Sequence, residues 1–213
     1  MTHDRQPSGP LTGITGVILA GGRSRRMGKD KATLLLDGHP LIARAVERLH
    51  LALATVIVVG SEGLVELLPS APIFPDEQPG LGPLGGLATA LASAQTDWVF
   101  LVACDMPFIQ PALVRHMATI ALAAPEAEAV ALRSPGGLEP LHAAYRRDIA
   151  PVVAQTLGAP HPSMRGLLGR LRVIEIAQDD AARFDPRRLS TFNANTEEEW
   201  RRALALASEG ASK

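Results

Sequence analysis

Short apolar runs alternate along the chain with segments in which apolar residues recur at helical spacing. Residues 12–20 and 55–59 are rich in β-branched side chains, which is typical of buried strands. Trp98–Ala103 is the most continuous apolar run, and it predicts a central strand covered on both faces. After Pro40, apolar residues recur every three or four positions, which predicts a helix that begins at this proline.

The rest of the chain continues the same alternation. Further strands are predicted at 71–74, 129–132, 140–145 and Val173–Ile176, and further helices at 84–94, 111–124, 149–157, 163–171 and 196–208. Thr196 and Glu199 have the spacing of a capping box at the start of the last helix. This order predicts an α/β fold with a mainly parallel sheet. Without a linker or an internal repeat, we expect one domain at 12–208, with flexible tails at 1–11 and 209–213.

Composition narrows the class of protein. The chain has 213 residues, 46% of them hydrophobic and 20% charged, with a net charge of -1. Such a chain is long enough to bury a core, and it lacks the basic charge of a nucleic-acid-binding protein. Its one cysteine, Cys104, excludes an internal disulfide framework. No apolar run reaches membrane-spanning length and no signal peptide is visible, so we expect a cytoplasmic protein that acts without membrane or nucleic acid.

Residues 19–31 form the strongest chemical signal, because a glycine pair and five basic residues follow the first strand directly. Glycines such as Gly21 and Gly22 let backbone N–H groups approach an anion, and the basic side chains add positive charge. Together they suit a triphosphate, although a basic loop in solvent is the alternative. The spacing matches neither a Walker A loop nor a dinucleotide-binding GxGxxG motif.

Four later strand ends carry weaker signals. Asp76 is placed to bind a ribose hydroxyl or a base N–H, or it is a turn residue. The Gly/Pro loop at 79–87 offers room and N–H donors to a flat base, or it is a tight turn with close helix packing. Asp105 follows the central strand and suits Mg²⁺, with a helix-capping role as the alternative. Asn193 and Asn195 suit a Mg²⁺ shell, whereas capping of the last helix explains half of this motif.

Two residues are candidates for a second substrate. His142 lies in a predicted strand, and its side chain is placed to face an acceptor, although a single histidine is more often structural. Arg165 begins a predicted helix and suits an acceptor phosphate, unless it is an ordinary surface residue. Both are predicted as acceptor contacts.

The order of these motifs resembles that of small α/β nucleotidyltransferases, and of the molybdenum cofactor guanylyltransferases among them. The resemblance extends from about residue 15 to 200 and is carried by LAGGRSRRMGKDK, Pro75-Asp76, GPLGG, CDMP and NANTEEE. It implies a three-layer α/β/α Rossmann-like nucleotidyltransferase fold. The implied reaction is Mg²⁺-dependent transfer of GMP from GTP to Mo-molybdopterin, which forms the guanine dinucleotide cofactor and pyrophosphate. Proteins of molybdopterin synthesis and molybdoenzymes are the candidate protein partners.

The resemblance also implies roles for single residues. Arg26, Lys31 and Asp105 are implied to be catalytic, and Asn193 and Asn195 to lie near the metal and the acceptor. The nucleotide contacts are implied to be Leu19, Ala20, Gly21, Gly22, Lys31, Asp76, Gly82 and Asp105, with Asp105 also binding Mg²⁺. Where some relatives have an asparagine after the second strand, this chain has Val59-Gly60.

Three other functions compete with this one. A molybdopterin cytidylyltransferase is disfavoured because Gly21 and Gly85-Gly86 leave room for a purine. A sugar-1-phosphate nucleotidyltransferase usually needs a longer chain for its sugar-binding region. A non-catalytic nucleotide-binding chaperone for a molybdoenzyme has no need of Asp105 or the asparagine pair.

Overall fold

The structure is a computed structural model that describes residues 9–21, 31–60, 62–68 and 70–211. Its strands are β1 (Leu11–Ala20), β2 (Leu35–Leu36), β3 (His39–Pro40), β4 (Leu53–Gly60), β5 (Ile73–Pro75), β6 (Trp98–Ala103), β7 (Ala129–Ser134), β8 (Gly137–Arg146) and β9 (Val173–Ile176). Its α-helices are α1 (Leu41–His50), α2 (Gly82–Ser93), α3 (Pro111–Ala123), α4 (Ala150–Leu157), α5 (Met164–Leu168), α6 (Gln178–Ala181) and α7 (Glu197–Ala211). Short 3₁₀ turns lie at Lys31–Thr33, Glu62–Leu67 and Arg147–Ile149.

Seven strands form one sheet in the order β5-β4-β1-β6-β8-β7-β9. β1 pairs in parallel with β4 and β6, and β4 in parallel with β5. β8 runs antiparallel to both of its neighbours, and β7 pairs in parallel with β9. Since β8 is the one reversed strand, the other six end at the same edge of the sheet. In an open parallel sheet this carboxyl edge is where ligands bind.

Helices cover both faces of the sheet, which gives the three layers that the family resemblance implies. One face packs against α1, α3 and α6, and the other against α2, α4 and α5. Burial under helices on both faces explains the apolar composition of the central strands. In β6, for example, no residue is exposed. A third cluster joins α7 to the small β2–β3 hairpin through Leu36, Leu41, Phe108, Ala203 and Ala207. It fixes the carboxyl-terminal helix beside the start of α1.

The observed elements confirm the predicted α/β fold and differ from it in detail. β6 and β9 have the predicted bounds, while α5 ends at Leu168 and α7 continues to Ala211. The capping box is present, because Thr196 Oγ1 accepts from Glu199 N and the Glu199 carboxylate accepts from Thr196 N. No helix among the described residues is long and apolar enough to span a membrane.

Candidate active site

Two backbone hydrogen bonds gather the predicted site at the carboxyl edge of the sheet. Cys104 N donates to Leu19 O at 3.1 Å, which holds the turn after β6 against the end of β1. Ala194 N donates to Asp105 O at 3.0 Å, which holds residues 193–195 against the same turn. Residues 85 and 89 positions apart in sequence are therefore neighbours. The structure brings Asp105 together with the end of β1 and with the asparagine pair.

The asparagine segment is ordered by its own hydrogen bonds. Asn193 Nδ2 donates to Thr191 O at 3.1 Å, so the amide oxygen of Asn193 points away from that carbonyl. Asn195 N donates to the Glu199 carboxylate at 2.8 Å. Because Thr196 supplies the side-chain cap of α7, the capping explanation applies to Thr196 rather than to the Asn195 side chain.

Asp76 follows β5 and holds the loop that leads into α2. Its Oδ1 accepts from Gln78 N at 3.0 Å, which forms an Asx turn. The Thr89 hydroxyl on α2 lies 3.4 Å from the same oxygen and accepts from Glu77 N at 3.1 Å. The half-buried carboxylate therefore has a structural role in the turn, which was the alternative considered for it. Its predicted nucleoside contact stays a prediction.

Gly60 at the end of β4 is packed directly against the end of β1. A Cβ at this position would lie 2.3 Å from Ala20 O and 2.8 Å from Ala20 C, closer than any side chain tolerates. Gly60 pairs with Ala20 in the parallel register. A side chain therefore has no room at this position unless β1 shifts.

We expect Gly60→Ala to lower the free energy of unfolding by about 2–3 kcal/mol, because the clash involves backbone atoms that cannot rotate away. Urea denaturation of the variant measures this loss. Gly21→Ala is the matched control, since a Cβ at Gly21 meets no atom of the described residues within 4 Å. We expect the control to change stability by no more than about 0.5 kcal/mol. Equal stability of the two variants would contradict the close approach of β4 and β1.

The glycine pair in α2 has a different role from the one predicted. A Cβ at Gly85 would lie 2.8 Å from Gln78 O, and one at Gly86 would lie 2.9 Å from Leu19 Cδ2. Both glycines are buried. They allow α2 to pack on the preceding loop and on β1, so the prediction that they leave room for a purine is wrong. Among the described residues, no atom lies within 4 Å of a Cβ built at Gly21, and its predicted role beside the base stays a prediction.

A groove of about 640 Å³ runs along the carboxyl edge and is called the edge groove here. It is lined by Gly80, Leu81, Gly82, Pro83, Pro140, Leu141 and residues 162–165. The predicted nucleotide contact Gly82 and the predicted acceptor contact Arg165 therefore face the same space. Tyr145 Oη donates to Pro140 O at 2.8 Å and holds that wall in place. Among the described residues, no carboxylate pairs with Arg165 and its side chain is exposed.

His142 is fully buried, which contradicts its predicted contact with an acceptor. It lies opposite Val102 in the sheet, with its ring edge-on to Phe100 and the ring centroids 5.2 Å apart. Within the described part of the chain, neither ring nitrogen has a hydrogen-bond partner. Burial lowers the pKa of His142 to about 4, against a smaller opposite effect of the Asp185 carboxylate. His142 is therefore a neutral core residue.

The remaining predicted residues belong to the first motif. Gly22 and Arg26 lie outside the described residues, and of Lys31 only the backbone is described, at the start of a 3₁₀ turn. Among the described residues, no group of three His, Cys, Asp or Glu side chains is able to hold a metal. In the described part of the chain, Asp105 therefore belongs to no such group, and a Mg²⁺ bound there would take other ligands from water and phosphate oxygens.

Sequence reasoning missed one charged pair beside this edge. Arg133 Nε and Nη2 both lie 2.6 Å from Glu175 Oε2, across the neighbouring strands β7 and β9. Arg133 sits at the carboxyl end of a strand, which is the rule that identified the other candidates. Glu175 gave no such signal, because it lies within a strand 42 positions further along the chain.

The doubly wound sheet, the Gly/Pro loop and the aspartate after β6 define a nucleotidyltransferase. Residues 16–175 match the MobA-like NTP transferase domain, and the chain belongs to this family. The "Molybdenum cofactor guanylyltransferase" of Syntrophotalea carbinolica is 36% identical over 88% of this chain and 90% of its own length. The "Probable molybdenum cofactor guanylyltransferase" of Peptoclostridium acidaminophilum is 31% identical over 92% and 90%.

Solved structures agree with this assignment. The crystal structure of "Molybdopterin-guanine dinucleotide biosynthesis protein A" from Archaeoglobus fulgidus superposes with a TM-score of 0.78 at 26% identity, covering 92% of this chain and 99% of that one. The 4-diphosphocytidyl-2C-methyl-D-erythritol synthase of Anaerococcus prevotii has a TM-score of 0.68 at 13% identity, over 92% and 96%. This second likeness shows the fold alone.

Proposed function

We propose that this protein transfers GMP from GTP to the terminal phosphate of Mo-molybdopterin in the cytoplasm. One observation carries the proposal: Asp105, the end of β1 and the asparagine segment are joined by backbone hydrogen bonds at the carboxyl edge. The family and the names of the relatives support the choice of nucleotide and acceptor. Transfer of a nucleotide needs a carboxylate for the metal beside backbone N–H groups that donate to the phosphates, and the residues at this edge are the candidates for both roles.

The reaction forms one bond and breaks another. An oxygen of the acceptor phosphate attacks the α-phosphorus of GTP, the bond from that phosphorus to the bridging oxygen breaks, and pyrophosphate leaves. No general base is required, since a phosphate dianion is already a nucleophile. Mg²⁺, held by Asp105 with help from Asn193 and Asn195, would neutralise charge on the phosphates. Gly21 lets the nucleotide approach β1, and Arg165 attracts the acceptor phosphate.

The lining of the edge groove also supports a placement of both substrates in this groove. The loop at Gly80–Gly82 leads into α2, and α2 packs on the end of β1 through Gly86 and Leu19, where the predicted nucleotide contacts begin. Gly80 and Gly82 adopt φ values of +90° and +66°, which hold this loop in a shape that other residues rarely adopt. Arg165 lines the same groove. The nucleotide and the acceptor are thus expected to lie next to each other in the edge groove.

The test is turnover by the purified protein with Mg²⁺, Mo-loaded molybdopterin and each of GTP, CTP, ATP and UTP. Pyrophosphate release and the dinucleotide product are followed together. We expect turnover with GTP alone and its loss when EDTA removes the metal. Preference for CTP would overturn the choice of base, and no turnover with any of the four would contradict catalysis of this reaction and favour a non-catalytic carrier. Turnover in the presence of EDTA would contradict the proposed dependence on Mg²⁺.

A further inference from the structure

A second pocket of about 410 Å³ lies next to the edge groove and is called the side pocket here. It lies between β7, the start of β8, β9 and helix α5. Arg165 lines both the edge groove and the side pocket, so the two spaces meet at this side chain. A ligand whose phosphate binds Arg165 is therefore able to extend from one space into the other.

Arg165 reaches over the turn between β7 and β8. A Cβ built at Gly136 in this turn would lie 3.7 Å from Arg165 Nη2, so the guanidinium stands above the turn at the entrance to the side pocket. The loop at Gly80–Gly82 lines the edge groove and not the side pocket. An acceptor phosphate on Arg165 thus leaves the rest of the acceptor facing the side pocket.

The side pocket has the surfaces that a flat heterocycle needs. Leu138, Leu171 and Val173 supply aliphatic walls. The Arg133–Glu175 pair supplies a fixed polar edge, because both contacts of Arg133 fall on Glu175 Oε2. Neither of these contacts uses Glu175 Oε1, so this oxygen is able to accept a hydrogen bond from a ligand while Arg133 holds the carboxylate in place. An aliphatic wall with a few convergent polar groups is the usual composition of a small-molecule site.

We propose that the side pocket binds the pterin ring of the acceptor, with Glu175 recognising its amino edge and Arg133 holding Glu175 in place. This inference rests on the proposed function. A pterin carries a ring N–H beside an amino group, so this edge offers donors to Glu175 Oε1. The pair therefore selects the acceptor, while the loop at Gly80–Gly82 serves the nucleotide.

Stability alone does not explain the pair. The side chains of Arg133 and Glu175 are 50% and 44% exposed, and exposed ion pairs contribute little to folding. Arg146–Asp148 is a comparable pair, with 2.7 Å between Nε and Oδ1, but it lies at the opposite end of β8 and away from both pockets. Neutralising either acid should leave the fold intact, so the two pairs separate recognition from structure.

The experiment compares Glu175→Gln with Asp148→Asn as the matched control. Glu175→Gln keeps the shape of the side chain and removes its charge. We expect it to raise the KM for Mo-molybdopterin about tenfold, the usual effect of losing a hydrogen bond to a charged group, with an unchanged KM for GTP and an unchanged melting temperature. Asp148→Asn should match the wild type in all three. An unchanged KM for the acceptor in Glu175→Gln, or a raised KM for GTP, would overturn the assignment.

A binding measurement separates this proposal from the proposed function. 6-Hydroxymethylpterin is fluorescent, and its anisotropy reports binding to the protein without turnover. We expect binding to the wild type and to Asp148→Asn, and at least tenfold weaker binding to Glu175→Gln. If the wild type does not turn over GTP but this difference in binding is found, the pterin pocket stands and the proposed reaction fails. Equal binding by all three proteins, or none by the wild type, would contradict the pterin pocket.

Discussion

Asp105→Ala is expected to lower kcat about 10³-fold, equivalent to about 4 kcal/mol of transition-state stabilisation. Asp105 is the carboxylate that the turn after β6 presents at the carboxyl edge. The described part of the chain contains no group of three His, Cys, Asp or Glu side chains that could hold the metal instead. Its loss would leave the phosphates without their protein-bound metal at the moment when charge shifts to the leaving pyrophosphate. Steady-state rates with GTP at saturating Mg²⁺ measure the effect.

The control for Asp105→Ala is an aspartate at the other end of the same strand. Asp97 is exposed and precedes Trp98, whereas Asp105 follows Ala103, so the two flank β6 at opposite edges of the sheet. Asp97→Ala should keep kcat within about twofold, since surface substitutions away from a site change little. The backbone hydrogen bond from Ala194 N to Asp105 O does not need the carboxylate. A loss of activity in Asp105→Ala would therefore report lost chemistry rather than a folding defect. Wild-type activity would exclude Asp105 from the chemistry.

The sequence predicted the bounds of the parallel strands well, because buried strands are apolar and their apolar runs mark where they begin and end. β6 and β9 have the predicted bounds, and β1 and β4 differ by a few residues. The reversal of β8 was not predictable from this pattern. A strand buried on both faces has the same apolar composition in either direction, so its direction is set by the turn from β7 and by pairing with β6.

The predicted residues come together where the prediction depended on strand ends, and the prediction failed where it depended on side-chain direction. Asp105 and the asparagine pair meet because they follow or adjoin strands that end at one edge. For Gly85 and Gly86, the sequence showed small residues but not whether a ligand or the protein fills the space. The predicted acceptor contact of His142 failed for the same reason, since the alternation of residues along β8 does not reveal which face of the strand α3 covers.

The Arg133–Glu175 pair shows a further limit. Its two members come from strands that are neighbours only in the folded sheet, and each is an ordinary surface charge when viewed alone. The pairing of β7 with β9 places Ala131 opposite Glu175, so Arg133 and Glu175 reach each other diagonally across the two strands. Long-range register of this kind is tertiary information. The contact becomes visible only when the sheet order is known.

His142 should make the protein lose stability as the pH falls from 6.5 to 4. Burial lowers the pKa of His142 from 6.5 to about 4 in the folded protein, so the unfolded chain takes up a proton first. Stability is then greatest above pH 6.5 and decreases through this window, by about 2 kcal/mol at pH 5 and about 3 kcal/mol in all. Urea denaturation at pH 7 and pH 5 measures the difference.

His142→Leu should flatten this dependence, since leucine has nearly the same volume and cannot take up a proton. At pH 7 it should be as stable as the wild type or more stable, because it removes two buried ring nitrogens that have no partner among the described residues. The exposed His161, changed to Leu as a control, should retain the slope of the wild type. A loss of several kcal/mol in His142→Leu at pH 7 would mean instead that the ring is hydrogen-bonded in the core. Asp185 is the group to examine in that case, since its Oδ1 is also buried without a partner in the described part of the chain.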